Sequence, residues 1–230
     1  MKTIGLIGGM SWESTASYYQ LLNEGIRDKL GGFHSAKIIM HSVDFDEIHR
    51  FQHEDRWDEA GEALAKHAIA LEKAGADFIL ICTNTMHKVA DIVKKNLSIP
   101  IIHIAQATAD AIKEKKCKKS ILLGTKFTMS EEFNKKILRD NEIEIVVPDE
   151  ENMTIINSII FDELVLGKVL ESSKKRYVKI IEDLCKIEKN IDSVILGCTE
   201  IGLLIKKDDT HLQIFDTTPL HVNRALQLAL

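Results

Sequence analysis

A repeat constrains this chain more than any other feature of its sequence. The string IGLIGG at 4–9 is similar to SILLGT at 120–125, and aligning Gly8 with Gly124 gives an offset of 116 residues. The string FILICT at 78–83 is similar to VILGCT at 194–199, and aligning Cys82 with Cys198 gives 116 again. Apolar strings match by chance; a thiol followed by a threonine at a shared offset does so far less often. Two anchors with one offset predict a duplicated half. No low-complexity linker separates the copies.

Strand candidates lie at 2–7, 37–43, 78–82, 99–104, 119–124, 143–147, 193–198 and 212–215. Several are apolar throughout instead of alternating, as expected of strands buried on both faces of a parallel sheet. Helical stretches fall between them. The segment 58–74 sets Leu64, Ala68 (or His67), Leu71 and Ala74 along one stripe, and Gly75 is a natural stop. Thr128 followed by Glu131 has capping-box spacing for a helix starting near 129. Strand–helix alternation with a duplication predicts an α/β chain of two Rossmann-like, parallel-rich halves.

Composition removes several function classes. A net charge of −5 and a pI near 6.0 offer nothing to nucleic acid or an anionic membrane surface. The lysine run at 114–119 reads as a solvated helix end. No apolar run approaches the roughly 18 residues of a membrane span, and MKTIGLIGGM is too short and Gly-rich for a signal peptide. Four cysteines lie far apart without a CxxC pair, which argues against a disulfide framework or a zinc ribbon. The expectation is a reduced, cytoplasmic chain. GLIGGMS lacks the GxGxxG and Walker A spacings, so no dinucleotide site is expected. His41, His87 and His103 fall on different strands and helices, so no metal is expected. His87 reads as capping or lining the helix after Cys82. Trp12 and Trp57 shape a site mouth or simply pack.

In a parallel α/β sheet, ligands bind beyond the carboxyl ends of strands, and Cys82 and Cys198 both sit at such ends. If the halves face each other, both thiols look into one cleft. Such a pair suits redox chemistry or proton transfer on two faces of one carbon. Inverting a carbon needs a base on one face and an acid on the other. A thiol, with a reference pKa of about 8.5, serves in either state. Hydroxyls, amides and backbone N–H groups beside each thiol could hold a carboxylate and developing charge. Cys117 and Cys185 have no counterparts at the shared offset and read as inert.

These residues carry a resemblance. CTNT at 82–85 and GCTE at 197–200 resemble the paired cysteine signatures of the aspartate/glutamate racemase family. GLIGGMSWEST at 5–15, with LLGTKFT at 122–128, resembles its broad-specificity amino-acid racemase branch. The similarity runs over essentially the whole chain. It implies racemisation without a cofactor by two cysteines, two α/β subdomains with the site in the cleft between them, a C-terminal tail returning to the first, and a homodimer. The subdomains would be 1–104 with 210–230, and 105–209. The resemblance makes Cys82 and Cys198 the catalytic thiols and gives the substrate carboxylate to Asn84 and Thr85. It adds Thr83, Thr125, Thr128, Thr199 and Glu200 around the substrate, and Met10 and Ser11 in the first loop. Glu200 follows the aspartate-racemase pattern, where glutamate racemases carry His. The Asp-Ser-Gly loop of glutamate racemases is replaced by Gly8-Gly9-Met10.

For a distal carboxylate the candidates are Arg50, Gln52 and Lys168, each with an ordinary surface reading beside it. Leu166 stands where aspartate-specific relatives carry a basic residue, and without a firm cation acidic selectivity relaxes. The expected partner is a small-molecule amino acid. Rival readings are a hydantoin racemase, a decarboxylase or a cis–trans isomerase on the same scaffold, a non-catalytic small-ligand sensor, and a thiol redox protein.

Overall fold

A computed structural model describes every residue from Met1 to Leu230. The chain divides into two compact units, Met1–His103 with His221–Leu230, and Ile104–Leu220. No helix is long and apolar enough to cross a membrane.

The first unit runs β1 (Ile4–Gly8), α1 (Trp12–Leu30), β2 (Ile38–Ser42), α2 (Phe45–His53), α3 (Trp57–Lys73), β3 (Phe78–Ile81), a 3-10 turn at Thr85–Val89, and α4 (Ala90–Lys94). Its sheet is parallel, in the order β2-β1-β3. Strand alternation sends Ile4, Leu6, Phe78, Leu80 and Cys82 to one face. There they pack with Tyr18, Leu22 and Ile26 of α1 and with Val222, Ala225 and Leu226 of the C-terminal segment. Helix α3 packs against β1, β2 and β3, burying Leu64, Ala68 and Leu71 as its stripe requires. Ala74 is the exposed cap residue, and Gly75 follows at φ +99°.

The second unit runs α5 (Ile104–Glu114), β4 (Lys119–Gly124), α6 (Lys126–Ser130), α7 (Glu132–Asp140), β5 (Glu144–Val146), α8 (Glu150–Asp162), α9 (Glu171–Ile187), β6 (Ser193–Gly197), α10 (Ile201–Leu204) and β7 (Gln213–Asp216). A last helix, α11 (Thr217–Ala229), begins here and carries the chain back into the first unit. The parallel sheet has the order β5-β4-β6-β7. Strands β4 and β6 stand where the offset places the counterparts of β1 and β3; β7 lies beside β6 where the first unit has only the bridge Ile79–Ile101 beside β3. Val194, Leu196 and Cys198 face one apolar cluster, and Ile195 and Phe215 face the other.

Three local expectations are corrected. Residues 99–104 form no strand: Pro100 lacks an N–H, and the segment makes only one bridge, Ile79 to Ile101, before α5 starts at Ile104. The cap in the second half is Thr125, whose Oγ1 accepts from the Thr128 N–H; Thr128 lies inside α6, and α7 starts without a side-chain cap. The return to the first unit comes at His221 and not at 210, because β7 pairs with β6.

Candidate active site

In the first unit, the site is built where β1 and β3 end. Cys82 follows β3 and is wholly buried. Its N–H donates to the Ile7 carbonyl at 2.9 Å, and its carbonyl accepts from Ser14 Oγ at 2.9 Å. The loop after β1 is tied just as firmly. Ser11 caps α1, its Oγ accepting from the Ser14 N–H. Thr15 Oγ1 accepts from the Gly9 N–H at 2.8 Å and donates to the Ser11 carbonyl at 2.9 Å. Gly8 is required because a Cβ there would lie 2.3 Å from Thr15 Cγ2.

After Cys82 come Thr83, half-buried, and Asn84 and Thr85, both buried at the start of the 3-10 turn. His87 clamps this turn. Its Nδ1 faces the Thr83 carbonyl at 2.8 Å and so carries the proton, while its N–H donates to the Asn84 carbonyl at 3.1 Å. Behind it stand the rings of His103 and His221, with centroids 4.5 and 5.6 Å from that of His87. His221 donates from Nε2 to the Ile102 carbonyl at 2.7 Å and accepts at Nδ1 from the Tyr18 hydroxyl at 2.8 Å. Burial holds all three rings neutral: His103 falls to about 4, His221 to about 3, and His87 well below the ordinary imidazole range. Met10 and Ser11 are buried in the same loop system, and Gln52 reaches it from α2, its Nε2 lying 2.9 Å from Met86 Sδ.

In the second unit, Cys198 follows β6 and is nearly buried. Its thiol donates to Glu200 Oε2 at 2.9 Å. Thr199 Oγ1 accepts from Thr218 Oγ1 at 3.2 Å, and Thr217 Oγ1 donates to the Leu196 carbonyl at 2.9 Å. The first residues of α11 thus hold the turn after Cys198. Thr125 and Thr128 close the neighbouring strand end with their hydroxyls 3.1 Å apart. The methyl of Thr128 fills the space that side chains at Gly124 and Gly197 would need.

The two thiols sit in different electrostatic settings. Burial alone pushes Cys82 up, so it is held as a thiol. Cys198 is pushed up by burial first and then by the Glu200 carboxylate, with Asp216 adding to the effect. Asp216 itself is raised to about 6, chiefly by burial.

Of the residues singled out in the sequence, Met10, Ser11, Gln52, Cys82, Thr83, Asn84 and Thr85 gather at the first unit's strand ends. Thr125, Thr128, Cys198, Thr199 and Glu200 gather at the second's. Lys168 does not join them as a buried group: it is exposed, after the 3-10 turn Leu164–Leu166 that packs against α10. Arg50 is also exposed. Trp57 packs, bonding Asp55 through Nε1, whereas Trp12 is 69% exposed. Sequence reading passed over an HxxxH pair, His49 and His53 on α2, whose ring centroids are 5.1 Å apart. No group of three or more His, Cys, Asp or Glu side chains has metal-holding geometry. Reading also missed Ser14, Thr15, Tyr18, Asp216, Thr217, Thr218 and His221. For the α11 residues a signal existed: IFDTT at 214–218 is another apolar string that ends in polar groups.

Comparison with known proteins gives the family of the chain. The Asp/Glu/Hydantoin racemase family model matches residues 7–225. A Yersinia pestis crystal structure assigned to the Asp/Glu racemases is 44% identical with a TM-score of 0.93, covering 100% of this chain and 99% of that one. An aspartate racemase homologue from Pyrococcus horikoshii is 38% identical with a TM-score of 0.88, again covering 100% and 99%. The broad specificity amino-acid racemase RacX of Bacillus subtilis is 26% identical over 161 residues, 70% of this chain and 68% of RacX.

Proposed function

Because this chain belongs to the Asp/Glu/hydantoin racemase family and its named relatives are racemases, which are isomerases, we propose that it is an amino-acid racemase working by two-base proton transfer between Cys82 and Cys198. The observation that carries this is the matched pair of strand ends, each closing on a buried thiol followed by a polar turn. In this reading the substrate lies in a cleft with its α-carbon between the thiols. One thiolate takes the α-proton, the electron pair passes into the substrate carboxylate as an enediolate, and the opposite thiol returns a proton to the other face. The reverse reaction exchanges the roles.

The unequal settings of the thiols support an order for these steps. Cys82 has no carboxylate acceptor and starts protonated. Cys198 can pass its proton along the existing hydrogen bond to Glu200, leaving a thiolate beside a neutral carboxylic acid. Cys198 is therefore the first base for one enantiomer, and Cys82 the acid that completes inversion.

Asn84 and Thr85, with Thr199, are proposed to hold the substrate carboxylate, while the backbone N–H groups of both turns stabilise the developing charge. For the substrate side chain, the absence of a buried cation at Lys168 or Arg50 and the exposed Leu166 favour broad specificity, with neutral amino acids accepted beside acidic ones. The enzyme would act without a cofactor on a free amino acid, as a homodimer.

The test is incubation with single enantiomers of aspartate, glutamate and several neutral amino acids in D₂O. Chiral chromatography and NMR should show α-deuterated product of the opposite hand. Cys82→Ala and Cys198→Ala should each abolish racemisation; full activity in either would end the two-base reading. Turnover of a hydantoin with no amino-acid exchange would move the substrate to that class.

A further inference from the structure

The geometry points to Asp216 as a positioning residue for the second thiol: from the strand beside Cys198, its carboxylate sets how readily Cys198 carries negative charge. This inference rests on the reading of Cys198 and Glu200 as a proton-transfer pair.

Strand alternation places Asp216. On β6, Val194, Leu196 and Cys198 face one apolar cluster and Ile195 faces the other. The register pairs Val194 with Ile214, Ile195 with Phe215 and Leu196 with Asp216. Residues paired across neighbouring strands share a face. Ile214 packs with the first cluster and Phe215 with the second, as this requires. Asp216 therefore faces the side of Leu196 and Cys198.

Its carboxylate is bonded at one oxygen and closely seated at the other. Oδ1 accepts from the Thr218 N–H at 3.1 Å. Oδ2 occupies space that only a glycine at 202 leaves open, since a Cβ there would lie 2.2 Å from it. Gly202 is the second residue after Glu200, so the carboxylate rests on the first turn of α10. The titratable and charged groups that face it are Cys198 and Glu200 from the turn after β6 and Lys206 from the segment after α10. Lys206 favours the carboxylate, while Glu200 and burial oppose it.

The first half has no such group. Ile195 pairs with Phe215, and its counterpart Ile79 bridges Ile101, so the apolar Ile102 stands where Asp216 does. Asp216 thus belongs to the features that make the two thiols unequal. An ionised Asp216 disfavours a second anion on Cys198, so removing its charge should make the Cys198 thiolate easier to form.

The experiment follows iodoacetamide alkylation of Cys198 against pH in the full chain, quantified on the Cys198 peptide by mass spectrometry. Asp216→Asn keeps the shape and the oxygen that accepts from Thr218. It should lower the alkylation midpoint by about one pH unit and move the acid limb of kcat/KM the same way, whereas Asp216→Glu should leave the midpoint close to that of the parent. An unchanged midpoint in a folded Asp216→Asn protein overturns the proposal. If that variant does not fold, the carboxyl ¹³C titration of Asp216 is compared between the parent and Glu200→Gln. Coupling is reciprocal, so the Asp216 midpoint should fall in Glu200→Gln; no change overturns the proposal. Alkylation does not depend on turnover, so these outcomes stand apart from failure of the two-base reading, which would show as racemisation surviving in Cys198→Ala.

Discussion

The Cys198 thiol donates a hydrogen bond to Glu200 Oε2 at 2.9 Å, whereas Cys82 lies among Leu6, Tyr18, Leu80 and Val222. A duplicated fold has therefore been made chemically unequal at the two positions where its halves match best. In the second half the thiol has a proton acceptor in place. In the first, apolar packing keeps the proton on sulfur. The proposed two-base mechanism can use such inequality, because each turnover would need one thiol and one thiolate.

Glu200→Gln keeps size and hydrogen bonding but removes the acceptor. The expected result is a fall in kcat of roughly 10²-fold, the lower end of what positioned acid–base groups supply, with KM and melting temperature little changed. The same variant should speed Cys198 alkylation at neutral pH, because the carboxylate that opposes the thiolate is gone. Racemisation at the parent rate would show that Glu200 does not take the proton.

Much of the scaffold was legible in the sequence because strands buried on both faces leave continuous apolar strings, and duplication wrote them twice. The thiols were legible for the same reason. Other parts depend on tertiary register. Tyr18 and His221 meet across 203 positions, and no local pattern links them. Asp216 reaches the Cys198 side only through the pairing of β7 with β6. Thr128 looked like a cap from spacing to Glu131, yet its hydroxyl pairs with Thr125 and its methyl fills the gap left by two glycines. Spacing cannot separate a cap from a packed helix residue.

Thr218→Val should act through Thr199. The substitution removes the hydroxyl that donates to Thr199 Oγ1 at 3.2 Å and leaves the Thr218 N–H bond to Asp216 intact. Loss of one such bond costs about 1 kcal/mol. If Thr199 holds the substrate carboxylate, KM should rise several-fold while kcat changes less. Steady-state kinetics checks this, and a fall in kcat with KM unchanged would count against a binding role for Thr199.

Gly8→Ala tests the first loop. The new Cβ would lie 2.3 Å from Thr15 Cγ2 and 2.7 Å from Thr15 Oγ1, so it displaces the side chain that bonds Gly9 and Ser11. Overpacking of this kind costs about 1–3 kcal/mol. Chemical denaturation should show that loss, and adding Thr15→Ala should recover part of it by making room. If Gly8→Ala is as stable as the parent, the close packing of Thr15 on Gly8 is not what fixes the loop.

The buried histidines set the acid stability of the chain. His87, His103 and His221 are all held neutral by burial, with folded values below the ordinary 6.5. The unfolded chain binds protons at these positions once the pH falls below about 6.5, and the folded chain does not. Stability is therefore complete above that pH and is lost on acidification, down to about 4 for His103 and about 3 for His221. Each fully titrating site contributes a slope of about 1.4 kcal/mol per pH unit. Asp216 acts in the opposite sense: its folded value near 6 exceeds the ordinary 3.8, so the folded chain takes up a proton first and offsets one histidine. The net expectation is a melting temperature that is level above pH 7 and falls steadily between pH 6 and 4. A flat profile over that window would mean that the three rings accept protons inside the folded chain.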